Sequence, residues 1–209
     1  MSIAPFLVSR LHRLAMTLWR ALALATIALV VPLAQAADGI TVSSASLDPT
    51  DDGWQLAAEF NINFSPRLEE AVNRGVPLYF VVDFELARPR WYWFDEKPIQ
   101  LTQTYKSSYT PLLRQYRISV GNASQNFTRF DEVARVLSRL RGLPVATKSA
   151  LANGVAYQAG VRMRLDTAQL PKPFQFDAIS SHDWSLASDW YRWTVTPSPA
   201  DQSTASLNR

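Results

Sequence analysis

The chain has 209 residues, no cysteine and a formal charge of +3. Zero cysteine excludes a disulfide framework and a lipid-modified N-terminal Cys. Arg10, Arg13 and Arg20 lie before residue 37 with no acidic residue among them, which leaves 18 Lys and Arg against 18 Asp and Glu in the remainder. That neutral remainder removes the electrostatic case for nucleic-acid binding, which rests on a net basic footprint.

The chain opens with a basic stretch, then the uncharged run ALALATIALVV at residues 21–31, then Pro32 and the tripeptide Ala34-Gln35-Ala36. This is the order of a secretory signal: basic, apolar, then a small-residue cleavage site. The apolar run is about half of the ~20 residues a spanning helix needs. The expectation is export with cleavage after Ala36 and a periplasmic location, with no membrane span left. The alternative is an inner-membrane anchor through an uncleaved signal. Met16 also begins a compact signal of its own, with Arg20 as its charge. Zero cysteine fits a bacterial periplasm, where a disulfide-free domain must rest on its core. Residues 37–196 are long enough to bury about 70% of their unfolded surface in one core.

Residues 54–64, WQLAAEFNINF, alternate: Trp54, Leu56, Ala58, Phe60, Ile62 and Phe64 share one face, and Gln55, Glu59, Asn61 and Asn63 the other. That is a half-buried strand. Asp51-Asp52-Gly53 is a turn, which makes residues 40–47 its hairpin partner. Ser65-Pro66 starts a short helix closed at Gly75. Residues 78–86 return to strand, with Leu78, Phe80, Val82, Phe84 and Leu86 inward. Residues 99–108 and 112–120 read as two strands around Tyr109-Thr110-Pro111.

A second helix is expected from Thr128 to Gly142, with a capping-box-like start at Thr128 and Asp131. Its apolar stripe is Phe130, Val133, Val136, Leu137 and Leu140, with Arg135, Arg139 and Arg141 outside. Asn153-Gly154 is a hairpin-turn signal before an alternating strand at 155–165. Pro171-Lys172-Pro173 reads as a bend, 189–195 as the last strand and 197–209 as a polar, disordered tail. About eight strands and two short helices predict a mainly β domain, an antiparallel β-sandwich or open barrel.

Motifs for chemistry are sparse. Beyond the signal the only histidine is His182, in Ser181-His182-Asp183, which reads as a solvated turn. A zinc site would rest almost wholly on carboxylates, and no phosphate-cradling or nucleophile motif is present. No cofactor and no metal are expected. Asp83 and Glu85 project from one face of a strand, as a glycosidase pair could. Arg162 and Arg164 have the same spacing on another strand, so cross-strand ion pairing is the ordinary reading.

Residues 88–96, RPRWYWFDE, form the densest signal. In a strand, Trp91 and Trp93 face one way and Tyr92 and Phe94 the other, so one pair points away from the core. Arg88, Arg90, Trp91, Tyr92, Trp93 and Asp95 are therefore the candidate binding residues, because exposed Arg and aromatics make interface hot spots. Trp184, Trp190, Tyr191 and Trp193 form a second aromatic group beside them. The competing reading is a strand buried on both faces.

Together, RGVPLYF at 74–80, FELARPRWYWFDE at 84–96, RQYR at 114–117, YQAGVRMRLD at 157–166, LPKPF at 170–174 and SDWYRW at 188–193 resemble the proteobacterial domain-of-unknown-function 4390 family, sometimes labelled a proline-rich signal-peptide protein. The resemblance implies no catalytic residue. It implies an envelope partner, since the family's genes are said to lie beside a nitrogen-regulation-type membrane sensor kinase. The leading function is thus a non-catalytic periplasmic binding or accessory module with an envelope protein partner and no nucleic acid. The alternatives are a carboxylate-based enzyme on envelope glycans and a structural envelope protein without a small ligand.

Overall fold

The alternating apolar segments assemble into two antiparallel sheets. A computed structural model describes residues 39–88, 96–180 and 182–198. The strands are β1 (Gly39–Thr50), β2 (Gly53–Asn63), β3 (Leu78–Arg88), β4 (Glu96–Thr110), β5 (Gln115–Val120), β6 (Ala123–Phe127), β7 (Arg139–Ala146), β8 (Tyr157–Leu165) and β9 (Tyr191–Val195). The smaller sheet runs β1-β2-β7 and the larger β6-β5-β4-β3-β8-β9. The chain is mainly β, its two antiparallel sheets forming a sandwich or open barrel and not a closed one, as expected from sequence, and Asp38–Arg209 forms one compact unit.

The inner faces are those set by period-two alternation. Trp54, Leu56, Ala58 and Phe60 of β2 are buried, as are Leu78, Phe80, Val82, Phe84 and Leu86 of β3 and Tyr157, Ala159, Val161, Met163 and Leu165 of β8. They share one apolar core. Phe64 links it to helix and sheet, meeting Phe80 edge-on at 5.7 Å and Phe130 at 5.0 Å. The β1–β2 hairpin forms around Asp51-Asp52-Gly53 as the sequence implies.

Among the described residues there are three α-helices rather than the expected two: α1 (Pro66–Asn73), α2 (Phe130–Leu137) and α3 (Lys172–Ser180). Ser65 caps α1, its hydroxyl accepting from the Leu68 N–H. At α2, Glu132 reaches back to the N–H groups of Thr128 and Arg129, which satisfies donors a helix start leaves unpaired. Among the described residues no helix is long and apolar enough to cross a membrane.

Four local expectations are corrected. The helix expected to run to Gly142 stops at Leu137, and Arg139–Ala146 is strand β7. Leu140 continued the helical spacing, but β2 has a free edge and β7 pairs with it, the Ser138 carbonyl taking the Phe60 N–H at 2.8 Å. Gly142 adopts φ +67° within β7, beside the register shift between Leu56 and Ala58, where a left-handed residue suits a bulge. Pro171-Lys172-Pro173 begins α3 rather than a simple bend, since proline is tolerated in a first helical turn. The β4–β5 turn lies at residues 111–114, not 109–111. Asn153-Gly154 turns without joining two strands: the Gly154 N–H donates to the Pro197 carbonyl.

Strand β6 was not anticipated, because residues 123–126 are exposed on an edge and show no alternation. Pro197, placed in the tail by composition, is buried. The expected signal and most of the expected tail fall at 1–36 and 199–209, which lie outside the described residues, as do residues 37–38, 89–95 and Ser181.

Candidate functional site

Strands β3, β8 and β9 lie side by side in the larger sheet, and their outward residues form rows. One row reads Asp83 opposite Arg162. The next reads Glu85, Gly160 and Arg192 across all three strands. Asp83 accepts from Arg162 Nε at 3.0 Å, Arg164 Nε at 3.2 Å and Thr102 Oγ1 at 3.0 Å. Its side chain is 14% exposed. Register alone brings these groups together, because side chains directly opposite on neighbouring strands sit about 5 Å apart. The cross-strand pairing expected from sequence is present for Asp83. Glu85 instead meets Arg192 Nη2 at 3.3 Å, two strands away.

That reach passes over Gly160. A Cβ at this position would lie 3.2 Å from Cε3 of Trp190 and 3.3 Å from Cγ of Glu85. The missing side chain leaves a slot in which the Glu85–Arg192 bridge lies, and the Trp190 ring covers it. Arg162 and Arg192 both place their guanidinium carbons near that ring, at 4.7 and 5.4 Å from its centroid. Each such contact contributes about 0.5–1 kcal/mol at an exposed site. The segment before β9 is pinned to β8: the Met163 N–H donates to the Ser188 hydroxyl at 3.0 Å, and the Ser188 N–H to the Met163 carbonyl at 2.8 Å.

The result is a half-buried lattice of guanidiniums, carboxylates and one indole on the outward face. Arg164 also lies 3.9 Å from Asp166. Asp83, Glu85 and Asp166 thus balance Arg162, Arg164 and Arg192. Such a surface offers shape, stacking and hydrogen bonds rather than net charge. Catalysis by the carboxylates is poorly served, since acid/base work on a glycoside needs two carboxyls flanking the bond and each here is held by arginine.

Among the residues singled out from sequence, Arg88 ends β3, is exposed and stands opposite Glu96 in register. Arg90, Trp91, Tyr92, Trp93 and Asp95 lie outside the described residues. Of the second aromatic group, Trp184 is buried against Phe174 at 5.7 Å, and Tyr191 and Trp193 point inward, so only Trp190 joins the outward face. Its signal in the sequence was Gly160. A glycine at an outward position of a central strand marks something lying close above it.

His182 belongs to a single turn of 3₁₀ helix, and its neighbour Asp183 binds Arg67 at 3.0 Å. Among the described residues no three His, Cys, Asp or Glu side chains group as metal ligands. Beside α2 an open hollow of about 510 Å³ is lined by Gln115, Phe127, Glu132 and Arg135 among others, but Glu132 is committed to capping the helix and Arg135 to Asp131.

Residues 37–194 match the family described as domain of unknown function (DUF4390). The chain belongs to this family. The match takes in β1 to β8, β9 as far as Thr194 and the whole arginine–tryptophan lattice, so the lattice is part of the family domain rather than an appendage to it. No curated relative and no solved structure matches the chain.

Proposed function

We propose that this family domain is an exported, non-catalytic binding or accessory module of the cell envelope, and that it engages a protein partner through the outward face of β3, β8 and β9 around Trp190. The observation that carries the reading is the placement of Trp190 between Arg162 and Arg192 above Gly160. Trp and Arg are the residues most enriched among interface hot spots. Here both are pre-positioned by ion pairs beneath, so little side-chain entropy is left to lose on binding. The N-terminal sequence pattern supports export and a periplasmic location. Commitment of Asp83 and Glu85 to arginines supports binding over hydrolysis of glycans.

Two experiments test the proposal. N-terminal sequencing of the protein from the envelope should find Ala37 first; retention of residues 21–31 would replace export with anchoring. A photo-crosslinking residue at Thr194, exposed on β9 beside the lattice, should trap one defined partner in cells. The same residue at Gln125, on the far edge of the sheet, should not. Equal trapping at both positions, or none at Thr194, would contradict the assigned face.

A further inference from the structure

The β4–β5 hairpin ends in Pro111-Leu112-Leu113-Arg114, and its two leucines are 91% and 59% exposed. Hairpin apices ordinarily carry Gly, Asn, Asp or Ser, each for a conformational reason. This apex is nonetheless well formed. The Leu113 N–H donates to the Thr110 carbonyl at 3.2 Å and the Arg114 N–H to the Pro111 carbonyl at 3.3 Å. Below it Tyr109 and Tyr116 pack at 4.6 Å, and the Tyr116 hydroxyl donates to Asn73 of α1. The leucines are thus held out on a braced stem.

The stretch of chain that forms this hairpin carries charge of one sign. Between Glu96 and Asp131 the sequence has no acidic residue, while it carries Lys97, Lys106, Arg114, Arg117 and Arg129. These positions span β4, β5, β6 and the start of α2. Arg129 pairs with Asp131. Lys106, Arg114 and Arg117 form no ion pair among the described residues; Arg117 donates to the neutral Asn126 side chain and Lys106 lies over the Tyr79 ring. Arg114 stands at the apex beside the leucines and Arg117 three residues on in β5, with Lys106 further down β4; Lys97 lies at the opposite end of β4, and Glu69 and Glu132 stand beside β5.

We propose that this hairpin docks the protein onto an anionic phospholipid bilayer, with Leu112 and Leu113 inserted at the headgroup–acyl boundary and Arg114 and Arg117 against lipid phosphates. A bilayer suits a small convex apolar tip, which offers no pocket or flat patch to a protein partner. Combining apolar insertion with basic side chains is the usual requirement for stable peripheral binding, since either alone is marginal. Each basic residue near such a surface adds roughly fivefold in affinity.

The test is co-sedimentation of the compact unit Asp38–Arg209, which contains the whole apolar core, with vesicles of phosphatidylethanolamine and phosphatidylglycerol, against vesicles of phosphatidylcholine alone. Binding should favour the anionic vesicles and weaken as salt rises. Leu112→Ser/Leu113→Ser should bind about tenfold more weakly or worse, and Arg114→Gln/Arg117→Gln should lower both affinity and salt dependence. Leu112→Ser alone, at a fully solvated position, should weaken binding with an unchanged melting temperature, which separates lost docking from lost folding. Absence of binding to the phosphatidylglycerol vesicles overturns the proposal. So does binding that the serine variants retain, the outcome expected if the cations alone form a site for a soluble polyanion or an acidic protein.

Discussion

The Trp190 ring fills the space that a side chain at Gly160 would need: a Cβ there would stand 3.2 Å from Cε3 of the indole. Position 160 is mid-strand, where a β-branched residue would ordinarily favour the fold. Gly160→Val should do the opposite, costing about 1–3 kcal/mol through overpacking and altering the near-ultraviolet circular dichroism of the tryptophans. In a Trp190→Ala background the cost should shrink, leaving the 3.3 Å approach to Glu85 Cγ as the remaining crowding. Urea denaturation of the four proteins of this cycle checks the relationship. A Gly160→Val variant as stable as the parent with Trp190 in place would show that the ring does not rest there.

Asp83 and Glu85 share a face but not an environment. Asp83 accepts from three donors on two neighbouring strands, whereas Glu85 pairs with Arg192, whose side chain is half exposed. Asp83→Asn should cost about 1–3 kcal/mol, because charge-assisted hydrogen bonds are weakened and donors lose their acceptor. Glu85→Gln should cost about 1 kcal/mol or less. Denaturant midpoints measure both. If the carboxylates are structural, cellular function of the double variant should track its abundance; a folded, abundant and inactive Asp83→Asn/Glu85→Gln protein would favour an enzyme.

Phe60 sits mid-strand in β2, buried on the core face. Phe60→Ala should destabilise by about 3–5 kcal/mol, from lost burial and the cavity left behind. A loss below about 0.5 kcal/mol, the range of ordinary surface substitutions, would place the core elsewhere.

Burial holds the Tyr105 hydroxyl above the ordinary tyrosine pKa of 10.0. Tyr116 is raised too, by burial first and then by Tyr109 and Glu69. A group whose folded pKa is raised favours the native state fully below its unfolded pKa. That contribution disappears as pH climbs from the unfolded value through the folded one. Stability should therefore fall above about pH 10, and Tyr105→Phe should flatten this alkaline limb while leaving the acid limb as it was. Superimposable pH profiles of parent and variant would contradict the assignment.

The strands legible in sequence were those with one wet face and one dry face. Residues 54–64, 78–86 and 155–165 alternate cleanly, and register then brings Asp83 to Arg162. Strand β7 was hidden because Phe130, Val133, Leu137 and Leu140 continue one helical stripe, and the free edge of β2 that captures residues 139–146 is a tertiary fact. Strand β6 was hidden because an exposed edge places no demand on alternation. Helix α3 offers the core only a short apolar pair among its described side chains, Phe174 and Ala178, with Phe176 largely exposed. At the site, the charged pairs were legible as spacing, while Trp190 was not. Its position depends on a loop closing over Gly160, and periodicity carries no information about what crosses above a strand.

The outward face around Trp190 is the surface proposed to meet a partner. The decisive measurement is the affinity of the partner trapped at Thr194 for the parent protein and for a Trp190→Ala/Arg192→Ala variant, with melting temperatures taken alongside. Arg192 is half exposed and Trp190 lies outside the core, so the variant should stay folded with only a modest loss of stability. Its affinity should drop by about 2 kcal/mol or more, roughly thirtyfold, as truncation of a hot-spot pair implies. A folded variant that binds the partner as tightly as the parent would contradict the claim.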